Sequence, residues 1–90
     1  MIVKQPAVAG TLESSDIQIS IFPNPGMGLD IQLQSNAKAQ FGDSIRSAVR
    51  DVLDREGVKN AGIRIIDRGA LECVIRARVE AAVLRGKGEV

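Results

Sequence analysis

Two adjacent hydroxyl groups flanked by carboxylates, in the segment Glu13-Ser14-Ser15-Asp16, are the most suggestive chemical feature of this chain. A serine acts as a nucleophile when a base takes its proton, and the usual base is histidine. The 90-residue chain contains no histidine, so a Ser-His system is excluded and we expect no catalytic residue. From the residues alone, an unmodified polar turn is the simpler interpretation of Ser14-Ser15, and a hydroxyl that another enzyme modifies is the alternative.

A second serine, Ser44, lies in the segment Phe41-Gly42-Asp43-Ser44-Ile45. This segment superficially resembles the Asp-Ser-Leu attachment site of ordinary acyl carrier proteins, which are small, acidic and all-helical. The present chain has a formal net charge of +1 and clear strand patterns. The spacing puts Ser44 within a helix, between the expected core positions Phe41 and Ile45. We therefore interpret Ser44 as a serine on a helix surface.

The overall composition argues against several classes of function. The 12 basic and 11 acidic residues nearly balance, which gives no reason to expect nucleic acid or an anionic membrane as a partner. One cysteine without histidine provides no metal site, and we expect Cys73, which has apolar neighbours, to be a buried thiol. The sequence shows neither a signal peptide nor a membrane-spanning stretch, so a cytoplasmic location is the default expectation.

Hydrophobic residues alternate with polar ones in two stretches of similar length. Residues 17–21 and 29–34 follow this period of two, which predicts half-buried strands. The turn-forming residues 23–28 separate them, so we expect the two strands to pair as a β-hairpin. Before them, residues 1–9 are expected to be irregular or an edge segment, and residues 10–14 to form a short strand.

The period changes to that of a helix after the second strand. Apolar residues recur at helical spacing between Phe41 and Leu53. Ser35 or Asn36 can cap the start of this helix, and Gly57 lies just beyond its end. We therefore predict a helix over this stretch, with its charged face in solvent.

The C-terminal third predicts one more strand and one more helix. Residues 58–67 have the pattern of a strand, residues 71–83 return to helical spacing, and residues 86–90 are expected to fray. The element order is then β-β-β-α-β-α in a single domain over residues 1–90. We predict the α+β class, with a small antiparallel or mixed sheet of three to four strands and two helices packed on one face.

Four segments of the chain together resemble one family, the acyl carrier (gamma) subunits of citrate lyase. The segments are Gln5 to Asp16, Asp30 to Leu33, Gln40 to Arg46 and Gly69 to Ala81. They lie in one register, and the resemblance extends over nearly the whole chain. The resemblance implies that Ser14, the serine directly after Leu-Glu, carries 2′-(5″-phosphoribosyl)-3′-dephospho-coenzyme A through a phosphodiester.

The same resemblance implies a set of partners and a reaction cycle. A prosthetic-group transferase would attach the arm, whose thiol would then hold an acetyl thioester. An alpha subunit (acyl transferase) would exchange acetyl for citryl, and a beta subunit (lyase) would cleave the citryl thioester to oxaloacetate, as in citrate fermentation. The carrier itself would contribute no acid, base or metal. Candidates for contact with the phosphates of the arm or with partner subunits are Arg46, Arg50, Arg76 and Arg78.

Two alternative functions stay open: a carrier in a different enzyme complex and a protein that carries no acyl group. The related carrier subunit of malonate decarboxylase would use the same class of prosthetic group, and loading with malonyl instead of citryl groups would identify it. A small interaction module without covalent cargo would show no added mass on the chain from its native host.

Overall fold

The computed structural model describes residues 3–35 and 38–88. Within them, the strands are β1 (Ala7–Gly10), β2 (Ile17–Pro23), β3 (Leu29–Ser35) and β4 (Ala61–Asp67), and the helices are α1 (Lys38–Arg55) and α2 (Glu72–Gly86). The order β-β-β-α-β-α confirms the predicted α+β class, and the sheet is mixed.

The strands are arranged in the order β1-β2-β4-β3 across the sheet. Strand β2 is antiparallel to both β1 and β4, whereas β3 is parallel to β4. Helix α1 connects these two parallel strands, as a crossover between parallel strands requires. The predicted hairpin between β2 and β3 is therefore wrong, because β4 lies between them. The predicted strand over residues 10–14 is also wrong, since β1 ends at Gly10.

Alternate side chains of the sheet are buried beneath the two helices. Ile19 and Ile21 of β2 lie opposite Ile65 and Ile63 of β4. All four are at most 2% exposed, and Ile17 at the start of β2 is fully buried. Burial of one such side chain stabilises the fold by about 1.5–3 kcal/mol. Because every second residue faces the helices, the period-two pattern in the sequence determines which face they cover.

The helices place one apolar stripe each on this face of the sheet. Buried residues recur at helical spacing in α1 (Ile45, Ala48, Val49, Val52, Leu53) and in α2 (Ile75, Val79, Ala82, Val83). An ion pair between Asp51 of α1 and Arg76 of α2 joins their outer surfaces. Asn36, one of the two expected caps of α1, lies outside the described residues. Ser35 belongs to β3 and donates to Asp67 Oδ2 at 2.9 Å.

The N-terminal segment lies against the end of α2. The backbone N–H groups of Lys4 and Gln5 donate to the carbonyl oxygen of Gly86 at 2.8 and 3.1 Å, and Val3 is buried. Lys87 is 8% exposed and continues the hydrogen-bonding pattern by donating to Val83. The expectation that the tail frays is therefore wrong for residues 86–88, while residues 89 and 90 lie outside the described residues.

Candidate functional site

Ser14 lies in the loop over residues 11–16 that connects β1 to β2. These strands form an antiparallel hairpin whose last pair is Gly10 with Gln18. Ser14 is exposed, and no described residue forms a hydrogen bond with its side chain. Its hydroxyl is therefore open to solvent.

Asp16 organises the loop through five hydrogen bonds that its carboxylate accepts. Its carboxylate accepts from the N–H and the hydroxyl of Thr11 at 3.2 and 2.7 Å, and from the N–H of Ile17 at 2.7 Å. Arg78 of α2 adds two bonds, from Nε and Nη2, each at 3.2 Å. The bond from the Thr11 hydroxyl, followed by those from Ile17 and Arg78, lowers the pKa of Asp16 to about 2. Asp16 is thus a partly buried residue that holds the loop together.

A pair of backbone hydrogen bonds connects this loop to the turn between β4 and α2. The N–H of Ser15 donates to the carbonyl oxygen of Arg68, and the N–H of Arg68 donates to that of Asp16, both at 2.9 Å. Ser15 adopts a φ of 66°, which is uncommon for a residue with a Cβ atom. The residue after Ser14 is therefore held in one conformation by partners 53 residues away along the chain.

Gly10 allows the close approach of the two strands that begin and end this loop. Its φ is +87°, and a Cβ atom built on it would lie 1.8 Å from the carbonyl oxygen of Ile17. The same atom would lie 3.3 Å from Cδ of Arg78, so the arginine that binds Asp16 passes directly over this glycine. A side chain at this position is incompatible with the observed loop.

The positive charges near the loop differ from those that the sequence indicates. Arg78 is brought to the loop but is paired with Asp16. Arg76 is paired with Asp51 and Glu72 on the outer helix surface. Arg68 is exposed, and its side chain has no hydrogen-bond or ion-pair partner among the described residues. The sequence does not indicate that Arg68 lies near the Ser14 loop. Its position there follows from the strand register, because the start of β2 lies beside the end of β4.

The remaining arginine candidates lie on α1. Arg50 is exposed, and Arg46 is partly buried, with an Nε atom that has no partner among the described residues. Neither forms a hydrogen bond with the loop that contains Ser14. A contact between these two residues and an arm or a partner stays a prediction.

Ser44 and Cys73 are both exposed on helices. The position of Ser44 on the surface of α1 confirms its interpretation as a helix-surface serine. Cys73, in the first turn of α2, is exposed, so the prediction of a buried thiol is wrong. Phe41 and Leu71, expected in the core, are also 51% and 71% exposed.

An apolar groove lies beside Phe41 and Leu71, between α1 and α2. It has a volume of about 390 Å³, and its lining runs from α1 across the turn after β4 to α2. Its residues are Phe41, Ser44, Ile45, Asp67, Gly69, Ala70, Leu71, Glu72 and Ile75. The exposed side chains of Phe41 and Leu71 form its edges, and the buried Ile45 and Ile75 form its floor.

Within residues 3–35 and 38–88, no three His, Cys, Asp or Glu side chains are grouped so as to hold a metal ion. Neither described helix has the length and apolar character needed to cross a membrane.

Comparison with known proteins gives consistent relatives. The acyl carrier protein (ACP) family model described as "Malonate decarboxylase delta subunit (MdcD)" matches residues 4–86. The "Citrate lyase acyl carrier protein" of Streptococcus equi subsp. zooepidemicus (strain MGCS10565) is 51% identical over 88 residues, which cover 98% of this chain and 86% of that protein.

A solved structure shares the fold. One chain of the crystal structure of a Pseudomonas malonate decarboxylase hetero-tetramer in complex with malonate superposes with a TM-score of 0.74. The superposition covers 94% of this chain and 91% of that chain, at 24% sequence identity. At this identity, the similarity shows a common architecture.

Proposed function

Because this chain belongs to the acyl carrier protein family that includes citrate lyase acyl carrier proteins, we propose that it presents acetyl and citryl thioesters on an arm attached to Ser14. The observation that carries this proposal is an exposed hydroxyl on a loop that is fixed on both sides. The 51% identity to a citrate lyase acyl carrier protein supports citrate lyase as the complex that it serves. The chain itself acts as a non-catalytic subunit.

The loop has the properties that a phosphodiester-linked nucleotide group requires. The Ser14 hydroxyl is exposed and forms no hydrogen bond with a described residue. The loop therefore leaves it open to carry a bulky substituent. The backbone of Arg68 is hydrogen-bonded to both Ser15 and Asp16, and its guanidinium has no partner among the described residues. A guanidinium is well suited to pair with a phosphate. The residues present therefore fit 2′-(5″-phosphoribosyl)-3′-dephospho-coenzyme A.

The arm supplies a thiol that forms thioesters, and the protein supplies a fixed attachment point. Five hydrogen bonds to Asp16 and two backbone bonds to Arg68 hold the main chain on the C-terminal side of Ser14. A tethered group is present at a local concentration on the order of millimolar for each partner site. The partners that we propose are the alpha (acyl transferase) and beta (lyase) subunits and a prosthetic-group transferase. We place the complex in the cytoplasm, where the arm thiol and the exposed Cys73 stay reduced.

A carrier subunit of malonate decarboxylase is the second candidate. It is favoured by the description of the family model and by the fold of the Pseudomonas complex. The two candidates share the attachment chemistry and differ in the acyl group. Loading of the purified native complex with citryl groups supports the first candidate, and loading with malonyl groups supports the second.

Substitution of individual serines tests the attachment site. We expect the wild-type chain from its native host to gain the mass of the prosthetic group, and Ser14→Ala to lose this gain completely. Ser15→Ala and Ser44→Ala are matched controls, since both residues are exposed serines, and both variants should keep the added mass. An unmodified wild-type chain in an active complex would contradict the carrier function and support an interaction module. Loss of the mass in Ser15→Ala alone would move the site to Ser15.

A further inference from the structure

The apolar groove beside the Ser14 loop has the size of a small-molecule site. Its volume of about 390 Å³ falls within the range of about 300–1,000 Å³ that is typical of ligand pockets. Ile45 and Ile75, which form its floor, are 5% and 4% exposed, whereas Phe41 and Leu71 at its edges are more than half exposed. Two large apolar side chains beside an open concave surface indicate that something apolar covers them.

The groove and the attachment loop share one turn of main chain. Arg68 is hydrogen-bonded to Ser15 and Asp16, and the wall of the groove begins at the next residue, Gly69. A Cβ atom built on Gly69 would meet no atom within 4 Å, so the space over this residue is open. A flexible group attached to Ser14 therefore has the groove within its immediate neighbourhood.

The charges of the groove favour some acyl groups on the arm over others. Its two ionisable lining residues, Asp67 and Glu72, are both carboxylates. Asp67 is 4% exposed and accepts from Ser35 and from the N–H of Ala70, and Glu72 is paired with Arg76. An acyl group with carboxylates of its own would lose hydration and meet like charge there, which is costly. An uncharged thioester meets neither penalty.

We propose that this groove holds the uncharged thioester end of the arm on Ser14 when the acyl group is acetyl, and releases the arm when the acyl group carries carboxylates. This inference rests on the proposed function. The tether makes weak binding sufficient, because an intrinsic dissociation constant of about 1 mM is matched by a local concentration on the order of millimolar. The acyl group would then control whether the arm is held or extended toward a partner subunit.

Methyl NMR spectra of the modified protein from its native host test this inference. Spectra are compared for Ser14→Ala, which has no arm, and for the modified chain as the acetyl thioester and as the succinyl thioester, which carries one carboxylate. We expect the acetyl arm to shift the methyl signals of Ile45, Leu71 and Ile75 from their positions in Ser14→Ala, and the succinyl arm to leave them close to those positions. The methyl group of Met27, which is 76% exposed in the turn at the opposite end of β2, serves as the reference.

A matched pair of serine variants provides a second measurement. Ser44→Leu fills the groove from an exposed position, and Ser47→Leu adds the same side chain to an exposed position of α1 outside the lining. At matched values of the dissociation constant and the local concentration the arm is held about half of the time, so we expect the acetyl thioester to hydrolyse about 2-fold faster in Ser44→Leu than in the wild type, and at the wild-type rate in Ser47→Leu.

The outcomes separate this inference from the proposed function. A native chain without the added mass overturns both. A chain with the acetyl arm whose groove methyl signals differ from those of Ser14→Ala no more than the Met27 signal does overturns only the groove inference, and leaves these residues to a partner subunit. Equal shifts for acetyl and succinyl thioesters overturn the selection by charge.

Discussion

Replacement of Gly10 by alanine tests how the attachment loop is held in place. At a φ of +87°, an alanine is strained by roughly 1–3 kcal/mol. Its Cβ atom would also lie 1.8 Å from the carbonyl oxygen of Ile17, so the start of β2 has to move by about 1 Å. This movement disturbs the pairing of Gly10 with Gln18 and the bond from Ile17 to Asp16.

The two contributions together predict a loss of about 3 kcal/mol, because the displaced backbone adds roughly 1–2 kcal/mol to the strain. For a domain of this size, that loss lowers the melting temperature by roughly 12–24 °C. The assay is thermal and urea-induced unfolding, followed by circular dichroism. Gly69→Ala is the matched control, since φ is +94° there and no atom lies within 4 Å of the added Cβ.

The control variant has backbone strain of the same kind but no displaced backbone, so it should be about 1–2 kcal/mol more stable than Gly10→Ala and melt roughly 4–16 °C higher. If Gly10→Ala and Gly69→Ala lose the same stability, the close approach of Gly10 to Ile17 does not constrain the loop. The account of how Ser14 is positioned would then be wrong.

Three further predictions concern Asp16, Cys73 and the core. The pKa of Asp16 is held at about 2 instead of 3.8, so its ionised form stabilises the fold fully above about pH 4 and this contribution is lost as the pH falls through 2. Lowering the pH from 5 to 2 should therefore reduce the free energy of unfolding, measured in urea, by more in the wild type than in Asp16→Asn. Equal reductions in the two proteins would contradict this. Cys73 should react with iodoacetamide in the native protein nearly as fast as in urea, whereas a tenfold slower reaction would argue against its exposure. Ile65→Ala should lose about 3–4 kcal/mol, measured by urea unfolding, whereas Leu71→Ala should stay within roughly 0.5 kcal/mol because Leu71 is 71% exposed.

The sequence predicts the strands and helices because their periods are local properties. It does not predict how the strands pair. β2 and β3 have the same alternating pattern and a turn between them, which is what a hairpin requires. Ala61, Ile63 and Ile65 of β4 gain complete or nearly complete burial by lying between these two strands. That gain depends on contacts far apart in the chain, so a local pattern does not reveal it.

The wrong burial predictions have two physical causes. Phe41 and Leu71 satisfy the helical spacing of core residues, but both lie near the start of a helix and line the open groove, so they are more than half exposed. The prediction for Cys73 rests on its apolar neighbours in the sequence. Position 73 is two residues from Leu71 and from Ile75, which puts it on a different side of the helix, and it is exposed.

The sequence predicts one part of the candidate site and not the other. The exposure of Ser14 follows from its polar neighbours, which the sequence displays directly. The bond of Asp16 to Arg78 joins residues 62 positions apart, and the sequence does not indicate it. Arg68 reaches the loop only through the register of β2 with β4.

Fragmentation mass spectrometry of the wild-type chain from its native complex tests the central claim most directly. Electron-transfer cleavage of the backbone on each side of Ser14 separates its hydroxyl from that of Ser15 and leaves a phosphodiester intact. The account predicts that the whole added mass appears on fragments that contain Ser14, and on no fragment that begins at Ser15. A chain from an active complex that carries the mass elsewhere, or carries none, would contradict it.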